Sequence, residues 1–401
     1  MKKFLTICTA SLLYFSAQAQ DSTPKKVDTA KTVAVAAPVS PLSMPSMAGP
    51  LTINPEPYHV HQGFFKDVYV SGVASGLFLG QNNVSPGDRK AQTDVSNAQI
   101  FIQKADGIFQ FFLQVGAYSV PDLGLSYMRS TQAVNAWGLL PQAYIKLQPT
   151  KSFSVEVGKL PTLIGAEYTF SFENMNIERG LLWNQENAVN RGIQFNYAIG
   201  KVSLSAAYSD GFYSNKYNWL MGSLTYAING TNTLAAVAGG NLGATSADKT
   251  PGAQYQNNGS MYNLLYTHVS GNWTIEPYLQ YTMVPLSSAL GLTQKGSTFG
   301  GALFINYNLP STKDVGVWIF PLRLEYISSK GTGAGAPNLM YGAGSKGFSG
   351  TITPGYQYKR IFARAELSYV SASGTTPGSA LGPLGNSTSQ SRALLEIGML
   401  F

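Results

Sequence analysis

The stretch SRALLEIGMLF, residues 391–401, places an apolar side chain at every second position (Ala393, Leu395, Ile397, Met399, Phe401) and sets Arg392 and Glu396 on the opposite face. Period two is the mark of an extended strand with one wet and one apolar face. The same pattern recurs from about Val68 onward: IFQFFLQVG, with Phe109, Phe111, Leu113 and Val115 against Gln110 and Gln114, then FSVEVG, RGIQFNYAIG, KVSLSAAYS, TIEPYLQYTM, PLRLEYIS and ARAELSYVS. Counting these segments gives about sixteen strands of roughly ten residues, the length that a tilted strand needs to cross a bilayer.

A soluble sandwich can show the same alternation, so the connections decide. They run long and short in strict turn: QNNVSPGDRKAQTD then ADG, SVPDLGLSYMRSTQAVNAW then QPTKS, Leu160 to Asn190 then GK, DGFYSNKY then NGTN. The order continues with NLGATSADKTPGAQYQNNG then SGN, VPLSSALGLTQKG then NLPSTKDV, Ser328 to Gly347 then YKR, and finally SASGTTPGSALGPLGNSTSQ. Loops sorted by length onto two rims suit a wall whose rims face different compartments. The predicted fold class is therefore all-β, a transmembrane antiparallel up-and-down β-barrel of about 16 strands, with short periplasmic turns and long external loops. An even strand number puts both ends of the chain on the short-turn rim. The Leu395, Ile397 and Met399 face meets lipid, Glu396 faces the lumen, and Phe401 lies at the membrane boundary, where aromatics gather.

Composition agrees. Of 401 residues only 12% are charged, Gly, Tyr and Phe number 42, 23 and 20, and mean hydropathy is −0.02. That profile fits neither a helical membrane protein nor an ordinary soluble enzyme, and it favours strands and turns. Residues 1–19, with Lys2 and Lys3 before the apolar run Phe4 to Phe15 and an A-x-A site at Ala17 to Ala19, read as a secretory signal. The single cysteine, Cys8, lies inside it and leaves with it. Residues 20–63, rich in Pro, Ala and Thr to about Pro57, read as a flexible periplasmic leader, and residues 64–401 as the barrel. The net charge of +7 falls to about +5 once Lys2 and Lys3 are removed, too mild an excess to indicate nucleic acid.

Catalytic and metal chemistry have few candidates. His59 and His61 precede the barrel as an H-x-H pair with no further His or Cys nearby, which reads as a solvated pair. His268 falls next to a short turn, the wrong rim for an outer-membrane hydrolase. The run GTGAGA, Gly331 to Ala336, begins no helix and reads as a flexible loop rather than a nucleotide site. No catalytic residue, metal or cofactor is expected.

The charges on the polar face of the strands are more informative. Arg323 and Glu325 share a face, Arg364 and Glu366 repeat that spacing, and Arg392 and Glu396 lie opposite the lipid face, with Lys146, Glu156 and Glu276 also in polar phase. In a wet lumen such charges cost little, whereas a dry core needs each one paired. The reading is a water-filled interior, with salt-bridge bracing of the wall as the alternative. The third external connection mixes Glu167, Glu173, Glu178, Arg179, Glu186 and Arg191 with Phe170, Phe172, Leu181 and Trp183, too many apolar groups for a loop in water. Folded back into the lumen, it forms a constriction.

The run VEVGKLPTLIGAEYTFSFENMNIERGLLWN, followed by NRGIQFNYAIGKVSLSAAYSDGF, resembles outer-membrane porins of the OmpL-like β-barrel porin family and, more distantly, the phosphate-selective porins. In these a G-[KR]-x-x-x-P-x-G-x-E phrase ends a strand, a loop with an E-R pair follows, and an R-x-G-[IV] strand leads to a D-G loop. The matching residues are Gly158, Lys159, Gly165, Glu167, Glu178, Arg179, Arg191, Gly192, Asp210 and Gly211, with Pro161 ahead of the phrase's proline position. The resemblance implies a general or weakly selective porin of sixteen strands, commonly trimeric, whose third loop narrows the channel. It does not carry phosphate selectivity over, because the basic ladder of that subgroup is absent.

The expected function is passive diffusion of small hydrophilic solutes and ions through an outer membrane. Glu167, Glu173, Glu178, Arg179 and Arg191 are the expected constriction, and Arg323, Glu325, Arg364, Glu366, Arg392 and Glu396 the lumen wall. Expected partners are membrane lipid, the solutes, the barrel assembly machinery through Phe401, and further copies in a homotrimer. A barrel without a channel, acting as an adhesin or surface-binding protein, is the alternative. A transporter of apolar solutes is third, because the polar leader makes a poor hatch.

Overall fold

The computed structural model describes residues 48–52, 56–61, 63, 66–245, 253–309 and 316–401. The expected signal segment, Cys8 and most of the leader lie outside the described residues. The wall opens with β1 (Tyr58–Val60), β2 (Val68–Gln81), β3 (Ala91–Lys104), β4 (Phe109–Tyr118), β5 (Gln142–Leu147) and β6 (Phe153–Pro161). It continues through β7 (Val189–Ile199), β8 (Val202–Ser209), β9 (Trp219–Ala227), β10 (Asn232–Asn241), β11 (Ser260–Ser270), β12 (Trp273–Val284) and β13 (Gly296–Leu309). It ends with β14 (Val317–Ile319), β15 (Leu322–Lys330), β16 (Lys346–Ile352), β17 (Gly355–Tyr358), β18 (Ile361–Ser373) and β19 (Ser389–Leu400).

Neighbours pair antiparallel throughout, and β19 pairs back onto β2 with Leu395 opposite Phe78 and Met399 opposite Ala74, which closes the sheet. The short β1 only lengthens the foot of β2. Pro321 interrupts one crossing between β14 and β15, and Pro354 interrupts the next between β16 and β17, because proline has no N–H to give to the ladder. Their carbonyls still accept Thr353 N and Ala365 N at 2.9 Å each. With each broken pair taken as one crossing, the wall is the 16-strand barrel expected from the alternation.

Lipid-facing positions carry the apolar set that the pattern assigned to them, including Phe109, Val115, Leu395, Ile397 and Met399, all exposed. Near the short-turn rim Trp273 packs on Tyr307 with ring centroids 4.6 Å apart, and Trp318 on Tyr356 at 4.9 Å, as in an interfacial aromatic girdle. The last residue seals the seam. Phe401 and Gly72 exchange backbone hydrogen bonds of 2.6 and 2.9 Å, and the Phe401 ring covers Gly72 so closely that a Cβ there would sit 2.5 Å from it.

Two features depart from expectation. The second external connection contains an α-helix, α1 (Ser130–Trp137), whose eight residues are too few for a helical period to stand out against strands. The described end of the leader is also held rather than free. Ala48 N and Gly49 N donate to the Glu173 carbonyl at 2.7 and 2.6 Å, Leu51 is buried, and Gln357 clasps the backbone of Thr52 at 2.8 Å on both sides.

The lipid-facing placement of β19 is testable. Leu395→Arg, near mid-strand, should cost about 2–4 kcal/mol of stability in bilayers, the expense of a lipid-facing Arg at mid-depth. Denaturant titration from vesicles reads it, and a cost near zero means that Leu395 does not face lipid.

Candidate functional site

Between β6 and β7 the third external connection turns inward, and every residue from 169 to 183 is buried. Its aromatics drive this. Phe170 meets Tyr118 edge-on at 5.0 Å and Phe172 lies 5.7 Å from Phe101, so rings from β3, β4 and the loop fill one side of the lumen together with Leu51. Leu181 and Leu182 pack with Tyr278, Phe304 and Ile327 on the other side, while Ile164 joins Trp219, Met221 and Val237.

Apart from two short 3-10 turns the loop has no regular structure, so its buried backbone groups need partners from outside. Wall charges supply them. Glu366 accepts Ile177 N at 2.6 Å and Glu178 N at 3.0 Å, and Glu325 accepts Leu181 N at 3.0 Å and Leu182 N at 3.2 Å. Arg364 donates to the Asn174 and Ser171 carbonyls at 3.0 and 2.9 Å, and Arg323 to the Glu178 carbonyl at 2.6 Å. Glu396 accepts the Ser171 hydroxyl at 2.8 Å and Arg364 Nε at 3.1 Å. Hydrogen bonds to ionised groups are worth about 1.5–3 kcal/mol each, so this side of the wall is where the loop is fastened. Gly180 permits it, since a Cβ there would lie 2.1 Å from the Glu325 carboxylate.

The lumen-wall six therefore occupy the predicted face but not a wet one. Arg323 and Arg364 are 0% exposed and Glu325, Glu366, Arg392 and Glu396 at most 2%; five of the six are in ion pairs, and Glu366 accepts two loop amides and the Thr353 hydroxyl. The expectation of water around these groups is corrected: the alternative, wall bracing, describes them, with loop backbone as the load. Of the expected constriction residues, Glu167 binds Arg323 at 2.6 Å and Gly180 N at 2.7 Å, and Glu178 binds Arg392 at 2.6 Å and the Ser368 hydroxyl at 2.8 Å. Arg179 binds Asp122 at 3.0 Å and the Thr169 carbonyl at 2.8 Å. Glu173 turns back to Phe170 N at 3.2 Å. Only Arg191 stands apart, at the outer end of β7, where it pairs with Asp210 at 2.7 Å and stacks on Tyr213. The first four are thus brought together inside the loop, with their charges directed at protein.

Toward the short-turn rim, β5, β6, β7, β11 and β12 carry a second set of inward polar groups. Lys146 lies 3.8 Å from Glu156, which reaches Gln194 at 3.4 Å, and Glu276 accepts Thr267 at 2.7 Å. On the same side the polar atoms of Ser223, Thr225 and Asn190 are buried without a protein partner among the described residues. Polar atoms in that state call for water.

The family described as "Putative beta-barrel porin-2, OmpL-like" matches residues 67–401. The chain belongs to this family. Among solved structures it is similar to the outer-membrane channel DcaP of Acinetobacter baumannii, at a TM-score of 0.57 and 12% identity over 84% of this chain and 97% of that one. It is likewise similar to Salmonella typhi OmpF in complex with daunomycin, at 0.54 and 12% over 84% and 98%. No curated protein matches it. This porin is an outer-membrane β-barrel, and family and fold together make it a channel of that membrane.

The pattern alone did not point to Asp122, Ser171, Asn174 or Tyr278 as partners of the porin's loop. Each is an ordinary loop or strand residue whose role exists only after folding. Tyr278 donates to Glu186 Oε1 at 2.7 Å, and burial pushes the Glu186 carboxyl up to about 8, with Glu167 and Glu325 adding to the rise.

Two predictions follow from the packing. Arg364→Met leaves Glu396 without its charge partner and two loop carbonyls without donors, so it should cost about 3–5 kcal/mol in equilibrium unfolding. The raised Glu186 value means that the folded loop keeps a proton that the unfolded chain gives up near 4.5. Stability from this group is complete below that pH and is lost as pH climbs through about 8. Thermal midpoints should decline over this range, and Glu186→Gln should flatten the decline; an unchanged slope removes Glu186 as the cause.

Proposed function

We propose that the protein lets small hydrophilic solutes and ions diffuse passively across the outer membrane, with the third external loop setting the width of the path. The observation that carries this reading is the position of residues 162–188: they pack inside the barrel, fastened to β15, β18 and β19, away from the polar groups Lys146, Glu156, Thr267 and Glu276. Solutes travel along the side of Thr267 and Glu276, which are half-buried, rather than through the dry seam of Arg–Glu pairs. Selectivity in such a path comes from its width and from the charges beside it.

This placement moves the selectivity assignment. Glu178, paired with Arg392, is an anchor, and the inward pair Lys146 and Glu156 with Glu276 carries the charge that a passing ion meets. In line with the family, the channel assembles as a trimer, and Phe401 at the seam is the element that the assembly machinery engages.

Replacing residues 166–186 by a short Gly-Ser turn should raise single-channel conductance at least twofold and admit larger neutral sugars in liposome swelling. Unchanged conductance and size cut-off would sink the role given to the loop.

A further inference from the structure

His59 and His61 acquire a third donor in the fold. β1 lies on the foot of β2 with His59 opposite Tyr69, and this register carries the pair to Asp67, the residue before β2 begins. His59 Nε2 and His61 Nδ1 stand 2.9 and 2.7 Å from the same oxygen, Asp67 Oδ1. Donor atoms of all three groups lie within 4.8 Å of one another. The His59 ring is stacked on Tyr69 at 4.4 Å with an 8° interplanar angle, which fixes the direction of its nitrogen.

We propose that His59 Nε2, His61 Nδ1 and Asp67 Oδ1 bind one divalent metal ion of the zinc class at the periplasmic rim. Two imidazoles and one carboxylate suit zinc and its late transition neighbours, whereas calcium and magnesium require oxygen sets. Metal–nitrogen and metal–oxygen bonds of about 2.0–2.2 Å put the donors roughly 3.3 Å apart, so the two nitrogen–oxygen separations of 2.9 and 2.7 Å open by a few tenths of an ångström to admit the ion. A neutral imidazole has one N–H and one lone pair, and moving the proton to the nitrogen that faces away from Asp67 presents the lone pair to the ion. Three ligands leave a fourth position for water.

The ion ties β1 to the start of β2. Earlier in the chain, residues 48–52 lie against the Glu173 carbonyl and Gln357 inside the barrel. The site is thus a clasp on the segment that enters the lumen from the periplasmic side.

The test uses the full chain in detergent, without a polyhistidine tag, titrated with zinc chloride by calorimetry. One ion per chain is expected. Affinity should fall at least tenfold in His61→Ala and in Asp67→Asn, and stay the same in His268→Ala, whose ring is bonded to Asn232 on the wall. A second readout is tryptic cleavage after Lys66, which is exposed between His61 and Asp67. Zinc should slow it about tenfold in the native chain and leave it unchanged in His61→Ala. Equal affinity across the variants, or cleavage indifferent to zinc, overturns the proposal and leaves a hydrogen-bonded clasp without an ion.

Discussion

A loop that lies inside a barrel without helix or strand brings its whole complement of backbone N–H and C=O groups away from bulk water. Each group left bare costs as much as a lost hydrogen bond, and the ladders of the wall are already fully engaged with one another. Here the shortfall is met by acidic and basic side chains. Glu325 and Glu366 each receive two consecutive amides of the loop, while Arg323 and Arg364 cap carbonyls between them. Without this arrangement the aromatics at 170 and 172 could not be drawn into the lumen.

The same groups illustrate why a buried charge is tolerable only as part of a set. Glu396 gathers the Ser75 hydroxyl at 3.1 Å, the Asn97 amide at 3.3 Å, the Ser171 hydroxyl at 2.8 Å and the Arg364 guanidinium. Desolvation of one carboxylate costs several kcal/mol, and four donors from four segments offset it. The network holds the loop in one register on the wall.

Strand number, rim assignment and lipid face were legible in the sequence because each rests on local repetition. Residues 109–115 and 391–401 carry the two-residue period in plain view, and loop lengths need only counting. The inward fold of the third connection was legible as well, from Phe170, Phe172, Leu181 and Trp183, none of which suits open solvent. Hidden from the sequence was the state of the lumen charges: phase assigns Arg323 or Glu366 to the inner face, but whether water or a loop backbone meets them is decided by residues more than a hundred positions away. Asp67 escaped for a related reason. Only the annealing of β1 onto β2 brings it to the two histidines.

The place of Glu396 in the chain has a structural meaning. It sits on β19, the strand that meets β2 to finish the cylinder, and it holds both the Ser171 hydroxyl and a seam residue, Ser75. One carboxylate thus joins the loop to the closing seam of the wall, while Glu325 on β15 and Glu366 on β18 hold the loop at points away from that seam.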